Sequence, residues 1–425
     1  MKAYLDKLPK EIQDLIFVAG DIAAKNNMPA YLVGGFVRDL LLGVENLDLD
    51  IVVEGDGINF AEGLAESLGA RLIRHKRFGT ATVLIKPQAK KIDIATARCE
   101  SYPTPASLPV VTASSLKDDL RRRDFTINAM AISINQHNFG QLIDFFDARV
   151  DLRQKKIRVL HRLSFIDDPT RILRAIRFEK RHGFNIEANT LLLLKEAVRR
   201  KMLEKVQPQR LRDELILVLK EAHPLKQIMR MRNLTGFSFI NPHLLATKKT
   251  YNLIRAIHRQ IEWFKKSFPG RRALDVWLIY FMGLIDSLAT SDVKLICQKF
   301  VFRQGEEKRI LVYKKLKRLF FTELGKKKIK PAIIFNLLEP LSYEVIILIK
   351  AKYKNPDIRK HIEDFFEIYN GMRILITGKD LHRLGLVPGP AYRKIFAQVL
   401  KAKLGGAVKT KEEELALIKK IINSQ

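Results

Sequence analysis

The stretch Tyr31-Leu32-Val33-Gly34-Gly35-Phe36-Val37-Arg38-Asp39, followed by Asp48-Leu49-Asp50-Ile51-Val52-Val53, decides how the chain is read. A short apolar strand runs into two glycines. Adjacent glycines let the backbone turn tightly and bring its N–H groups close to a ligand. Placed before a helix, they form an anion site suited to a triphosphate. Neither a P-loop nor a GxGxxG fingerprint occurs. On the strand that follows, residues two apart share a face, so the carboxylates of Asp48 and Asp50 project together. Neighbouring carboxylates repel and call for a cation, and hard oxygen ligands suit Mg²⁺. Asp93, in Lys91-Ile92-Asp93-Ile94-Ala95, adds a third acid from a neighbouring strand. Three acids around two metal ions is an arrangement for in-line nucleotidyl transfer.

Two further motifs lie downstream. Asp119-Leu120-Arg121-Arg122-Arg123-Asp124-Phe125-Thr126-Ile127-Asn128-Ala129 sets an Arg cluster, an Asp and an Asn before an apolar strand. Together these can hold a sugar hydroxyl and a phosphate. Asp167-Asp168-Pro169-Thr170-Arg171-Ile172-Leu173-Arg174-Ala175-Ile176-Arg177-Phe178 predicts a helix with Pro169 in its first turn and Asp168 as its cap. Arg171, Arg174 and Arg177 then wind along one side of it. Taken singly, these motifs also read as a basic surface turn and a capped helix with a solvated face. His75 reads as a basic surface residue.

Outward from these motifs, residues 9–26 carry helical spacing behind a proline. Strand-like runs follow at Tyr31–Val33, Leu49–Val53, Thr82–Ile85, Lys91–Ala95 and Ala129–Ile134, with a helical pattern at Ile58–Leu68. Strands mixed with helices over about 150 residues predict an α/β or α+β domain on one sheet. From Lys155 onward the period is helical, at Ile172–Lys180, Thr190–Arg200, Arg210–Glu221, Lys249–Phe264, Leu274–Leu288 and Tyr343–Lys352. The 425 residues carry 76 Lys+Arg against 46 Asp+Glu, a net charge of +30. Such a surplus points to a polyanionic partner or to a solubilising surface. Two cysteines cannot build a disulfide framework. The longest apolar run, Val276–Ile285, is half of what a membrane span needs, about 20 residues. The expectation is a cytoplasmic protein that does not engage a membrane.

VGGFVRDLLLG, DLD, RRRDFTINAMA and DDPTRILRAIRF, in this order, closely resemble the class II tRNA nucleotidyltransferase and bacterial poly(A) polymerase family over residues 30–220. Arg210-Leu211-Arg212-Asp213-Glu214-Leu215 resembles a later helix motif of that family, and GKDL…LGLVPGP its tail. The resemblance implies an α+β head of the polymerase-β kind with a mixed sheet (residues 1–152). All-α neck (153–225), body (226–368) and tail (369–425) domains would follow. It implies that Asp48 and Asp50 hold Mg²⁺, two ions in all, with Asp93 beside them as a catalytic acid. Gly34, Gly35 and Arg38 would lie at the triphosphate, and Arg123, Asp124 and Asn128 at the ribose. Asp168 and Arg171 would read the base, and Arg174 and Arg177 would hold phosphates or support the template helix. The substrates implied are ATP, with CTP where C is added, and the acceptor and TψC arm of tRNA. Full CCA addition and addition of the terminal A both stay open. A poly(A) polymerase and a non-catalytic RNA-binding protein are the alternatives. One departure is Asp167, where relatives commonly carry Glu.

The base-reading assignment has a physical basis. Cytosine and adenine each present an amino donor beside a ring-nitrogen acceptor, whereas uracil and guanine present a carbonyl beside a ring N–H. A carboxylate and an arginine side by side therefore pair with C or A and reject U and G. If the +30 surplus is a phosphate footprint, tRNA affinity should fall about a hundredfold or more between roughly 50 and 200 mM salt in equilibrium binding. A flat dependence would assign the charge to solubility.

Overall fold

Alternating apolar residues in the first 150 positions build one mixed seven-stranded sheet. The computed structural model describes residues 2–85 and 90–423. The sheet strands are β1 (Ala30–Val33), β2 (Leu49–Val53), β3 (Arg71–His75), β4 (Thr80–Ile85), β5 (Lys90–Thr96), β8 (Ala131–Ser133) and β9 (Leu142–Ile143). Their order is β3-β4-β5-β2-β1-β8-β9. Between β5 and β8 the chain makes a separate antiparallel ribbon, β6 (Arg98–Ser101) with β7 (Val110–Ala113). β2 and β5 run parallel while the other sheet neighbours are antiparallel, so the sheet is mixed as expected.

Leu49, Ile51 and Val53 point into a buried layer, and helices Lys10–Lys25 and Gly57–Ser67 pack against each other there. Gly20 permits that layer: a Cβ at this position would stand 2.6 Å from the Ile134 carbonyl oxygen. On the opposite face, Val33 and Val52 are covered by Leu116 and Leu120 of the short helix Leu116–Arg121. That helix is capped by the Ser115 hydroxyl, which accepts from the Asp118 N–H. Its task is to deliver Arg122 and Arg123 over the sheet.

The chain divides into two compact units, Met1–Phe239 and Ile240–Gln425. The first unit continues past the sheet into helices Arg171–His182, Ala188–Arg199, Pro208–Leu219 and Pro224–Leu234. The second is helical among its described residues. Lys248–Ser267, Val276–Leu284 and Tyr343–Lys352 pack on one another, and Ile376, Leu381, Ile395, Val399 and Ile418 form a further core nearer the C-terminus. Every residue from Trp277 to Leu284 is buried, so the apolar run is a core helix. Among the described residues, no single helix is long and apolar enough to cross a membrane.

The structure differs from the sequence expectation where patterning is weak. β3 carries almost wholly exposed side chains on the sheet edge, so it shows no alternation. β8 begins two residues late because Thr126–Asn128 forms a 3₁₀ turn. The basic run at Lys314–Arg318 is partly structural: Lys314 Nζ donates to the carbonyls of Asp286 and Leu288, both at 2.7 Å.

Candidate active site

Gly34 caps helix Gly35–Leu42 with φ 71° and ψ −133°, a conformation L side chains rarely adopt. A Cβ there would meet Arg123 Nη1 at 2.8 Å and lie 3.7 Å from Asp50 Oδ2. Glycine thus lets an arginine and a carboxylate close on the turn. Across the sheet, Asp50 of β2 stands in register with Asp93 of β5, and Asp93 with Thr82 of β4. Thr82 Oγ1 donates to Asp93 Oδ1 at 2.7 Å, and Lys91 Nζ to Asp93 Oδ2 at 3.0 Å. No hydrogen bond reaches the Asp50 carboxylate among the described residues. Burial is the main influence on Asp50. Arg123 and Lys91 pull against it, Asp93 and Asp48 act with it, and the pKa is pushed up to about 6.

The expected triad of acids is not assembled. Among the described residues, no group of three or more His, Cys, Asp or Glu is gathered closely enough to hold a metal ion. Asp93 is drawn into its own bonds with Thr82 and Lys91, and Asp48 is exposed one residue ahead of β2. The donor chemistry nonetheless fits a hard divalent cation. A half-buried carboxylate with unbonded oxygens, pressed by burial and two neighbouring acids, is what such an ion would satisfy.

Asp50 opens into a cleft of about 670 Å³ whose walls include Gly34, Gly35, Arg38, Arg122, Arg123, Asp124, Asn128, Asp168, Arg171, Arg174 and Arg177. The structure therefore brings together every site residue expected from the sequence except Asp48 and Asp93. Asp93 and Asp50 instead share a second cavity on the sheet face, whose wall also holds exposed His75.

The arginines are held by one continuous chain of bonds. Asp39 takes Nε and Nη2 of Arg38, both at 2.8 Å, and Arg38 Nη1 donates to Asn128 Oδ1 at 2.6 Å. Asn128 Nδ2 donates to Asp124 Oδ1 at 2.9 Å, while Asp124 Oδ2 accepts from Arg174 Nε at 2.8 Å. Arg174 Nη1 then donates to Glu214 Oε1 at 3.0 Å. Burial alone would raise the Asp124 pKa. The Arg174 charge and the bonds from Asn128 and Arg174 overcome it and hold the carboxyl at about 2. The same ring, Phe178, lies beneath the guanidinium groups of Arg38, Arg174 and Arg177 at 5.3, 5.6 and 4.8 Å. Asp124 and Asn128, expected at the ribose, are thus fully engaged inside this chain.

The base-reading pair is arranged differently from the sequence expectation. Helix Arg171–His182 starts after Thr170, and Asp168 is extended outside it. Asp168 Oδ1 accepts from the Thr170 N–H and hydroxyl and from Arg210 Nη2 at 3.1, 2.6 and 2.9 Å. Among the described residues no bond reaches Asp168 Oδ2, which leaves one acceptor open. Arg171 donates to Ser164 Oγ at 2.6 Å and to the Arg122 carbonyl at 2.7 Å.

Sequence reasoning missed the partners. Asp119, wholly buried, binds Arg122 and Arg123 together at 2.6 and 2.9 Å. Its place three and four residues ahead of them was the available signal. Arg210 and Glu214, one helical turn apart in the Arg210–Leu215 motif, gave a similar one.

Residues 30–158 match the Poly A polymerase head domain, and residues 183–261 the probable RNA and SrmB- binding site of polymerase A. The A-adding tRNA nucleotidyltransferase of Halalkalibacterium halodurans is 32% identical over 95% of this chain and 91% of that protein. The chain belongs to the tRNA nucleotidyltransferase and poly(A) polymerase family. A second family member, the A-adding tRNA nucleotidyltransferase of Geobacter sulfurreducens, is 39% identical over 98% of this chain. The chain spans only 48% of that relative's length. The Thermotoga maritima CCA-adding enzyme, solved in complex with tRNA, superposes with a TM-score of 0.74 and 35% identity over 99% of this chain and 98% of its own.

A pH test isolates Asp50. Its pKa lies above the ordinary 3.8, so the folded state holds that proton more tightly, and stability is lost as pH rises toward and through about 6. Without divalent ions, Asp50→Asn should raise Tm at pH 8 and leave it unchanged at pH 4. Equal shifts at both pH values would mean the carboxylate is not strained.

Proposed function

We propose that the chain transfers nucleotides from ATP, and from CTP where C is added, to the 3′-hydroxyl of tRNA. It does so without a nucleic-acid template, in the cytoplasm, with release of pyrophosphate. The observation that carries this reading is the Gly34 turn closing Arg123 and Asp50 on the same cleft that holds Asp168 and Arg171. The names of the Halalkalibacterium and Geobacter relatives support addition of the terminal A, and that of the Thermotoga neighbour supports addition of CCA.

In this reading the Gly34–Gly35 turn and Arg123 bind the triphosphate, with Arg38 beneath the turn. Mg²⁺ would be held by Asp48 and Asp50, and when bound it supplies charge neutralisation and a lowered pKa for the attacking hydroxyl. The open Oδ2 of Asp168 accepts from the amino group of adenine or cytosine, and Arg171 donates to the ring nitrogen after exchanging a present bond. A carbonyl-bearing base would face the carboxylate oxygen and lose both bonds. Asp124 and Asn128 set the orientation of Arg174 and Arg38 instead of meeting the ribose in the free chain. The basic helices beyond contact RNA phosphates, which set position without reading sequence.

The test offers CTP and ATP separately to tRNA lacking CCA, tRNA ending in CC, and complete tRNA. One A on tRNA ending in CC and nothing on complete tRNA is the expected result, and incorporation of C marks the full CCA activity. Long A tails on unrelated RNA would mean a poly(A) polymerase, and no transfer at all a binding protein. Asp50→Asn should abolish transfer while tRNA affinity holds. Replacing Asp168 and Arg171 by Ala should relax selection against UTP and GTP by roughly tenfold or more, at ~1.5–3 kcal/mol per charged bond.

A further inference from the structure

Beside the cleft, and apart from the cavity on the sheet face, lies another of about 520 Å³, walled by Arg177, Lys180, Arg181, Leu217, Lys220, Glu221, Ala222, His223, Lys226 and Gln227. Five of these residues are permanent cations and one is an acid. Arg177 and Arg181 are walls of both spaces. Arg177 is 93% buried, since only 7% of its surface is exposed. Its carboxylate neighbours stand off at 3.6 Å (Glu214) and 3.9 Å (Glu221), beyond hydrogen-bond length, and its Nε has no partner among the described residues. A buried guanidinium left this poorly satisfied is costly unless an anion completes it. Arg181 meets Glu221 only at 3.9 Å as well, so one carboxylate is divided between two cations. Lys220 and Lys226 are exposed on the rim.

We propose that this cavity binds inorganic pyrophosphate after it leaves the catalytic cleft. The inference rests on the reaction proposed above, whose leaving group is a multiply charged anion with roughly three negative charges at neutral pH. Arg177 and Arg181 pass the anion from one space to the other, and Lys220 and Lys226 hold it clear of the reacting atoms. The pocket is a phosphate-oxyanion site in its chemistry. A phosphodiester of the RNA backbone is the other source of such an anion, and the experiment separates the two.

The full chain, saturated with a non-hydrolysable ATP analogue so that the cleft is filled, is titrated with sodium pyrophosphate by calorimetry. The titration is repeated on Lys220→Ala/Lys226→Ala, whose melting temperature is checked. The unaltered chain should take up one pyrophosphate. The double variant should bind it roughly tenfold more weakly or not at all, as expected for two lost charge-assisted contacts. Its product inhibition by pyrophosphate should weaken in parallel, while kcat and the KM for ATP stay unchanged. Equal pyrophosphate affinity in both proteins would overturn the proposal. So would a variant that loses affinity for tRNA alone, because the cavity would then serve the RNA backbone. If the analogue or tRNA transfer fails while pyrophosphate still binds and depends on the two lysines, the reaction reading falls and the anion site stands.

Discussion

Asp124 and Arg174 meet at 2.7–2.8 Å where the sheet domain touches the helix Arg171–His182; Asp124 is buried and Arg174 is partly buried. Burying either charge alone would cost several kcal/mol, so each requires the other. Because Asp124 also takes Asn128, and Arg174 also takes Glu214, this contact fixes the line of groups from Asp39 to Glu214. The cleft depends on it. The guanidinium groups that would otherwise repel one another over Phe178 are kept apart by interleaved acids, and the remaining cationic surface faces the open space.

Much of this could be read from residues alone. β2 and Tyr343–Lys352 fall at their expected ends because each is a dense apolar run closed by polar residues. Gly34 and Asp50 were legible for a different reason: a glycine pair before a helix and an acid on an apolar strand have few ordinary uses. Spacing gives direction but not partner, however. Nothing in Arg123-Asp124-Phe125 reveals that Asp124 turns inward to Arg174, about fifty positions away. Nor does Lys91-Ile92-Asp93 reveal that Thr82 and Lys91 hold Asp93. The β6–β7 ribbon carries no strand pattern in the sequence because its side chains are mostly exposed or half-buried on both faces.

The charge surplus likewise has two destinations that composition cannot separate. Arg38 and Arg174 serve internal acids, Lys314 closes helix-end carbonyls, and Lys350 lies over the Trp263 ring at 3.0 Å beside Glu363. These cations hold the fold. Among the cations lining the two neighbouring cavities, Arg181, Lys220 and Lys226 are instead set around open space, where a phosphate-bearing ligand would find them.

The most direct measurement is a double-mutant cycle combining Asp124→Asn with Arg174→Met, read by urea unfolding. Each single change should cost about 3–5 kcal/mol by stranding a charge of the pair. The double change should then cost well under the sum, with a coupling of ~2 kcal/mol or more. Small, additive losses would contradict it, since the two residues would then be separate surface charges and the seam would hold nothing together.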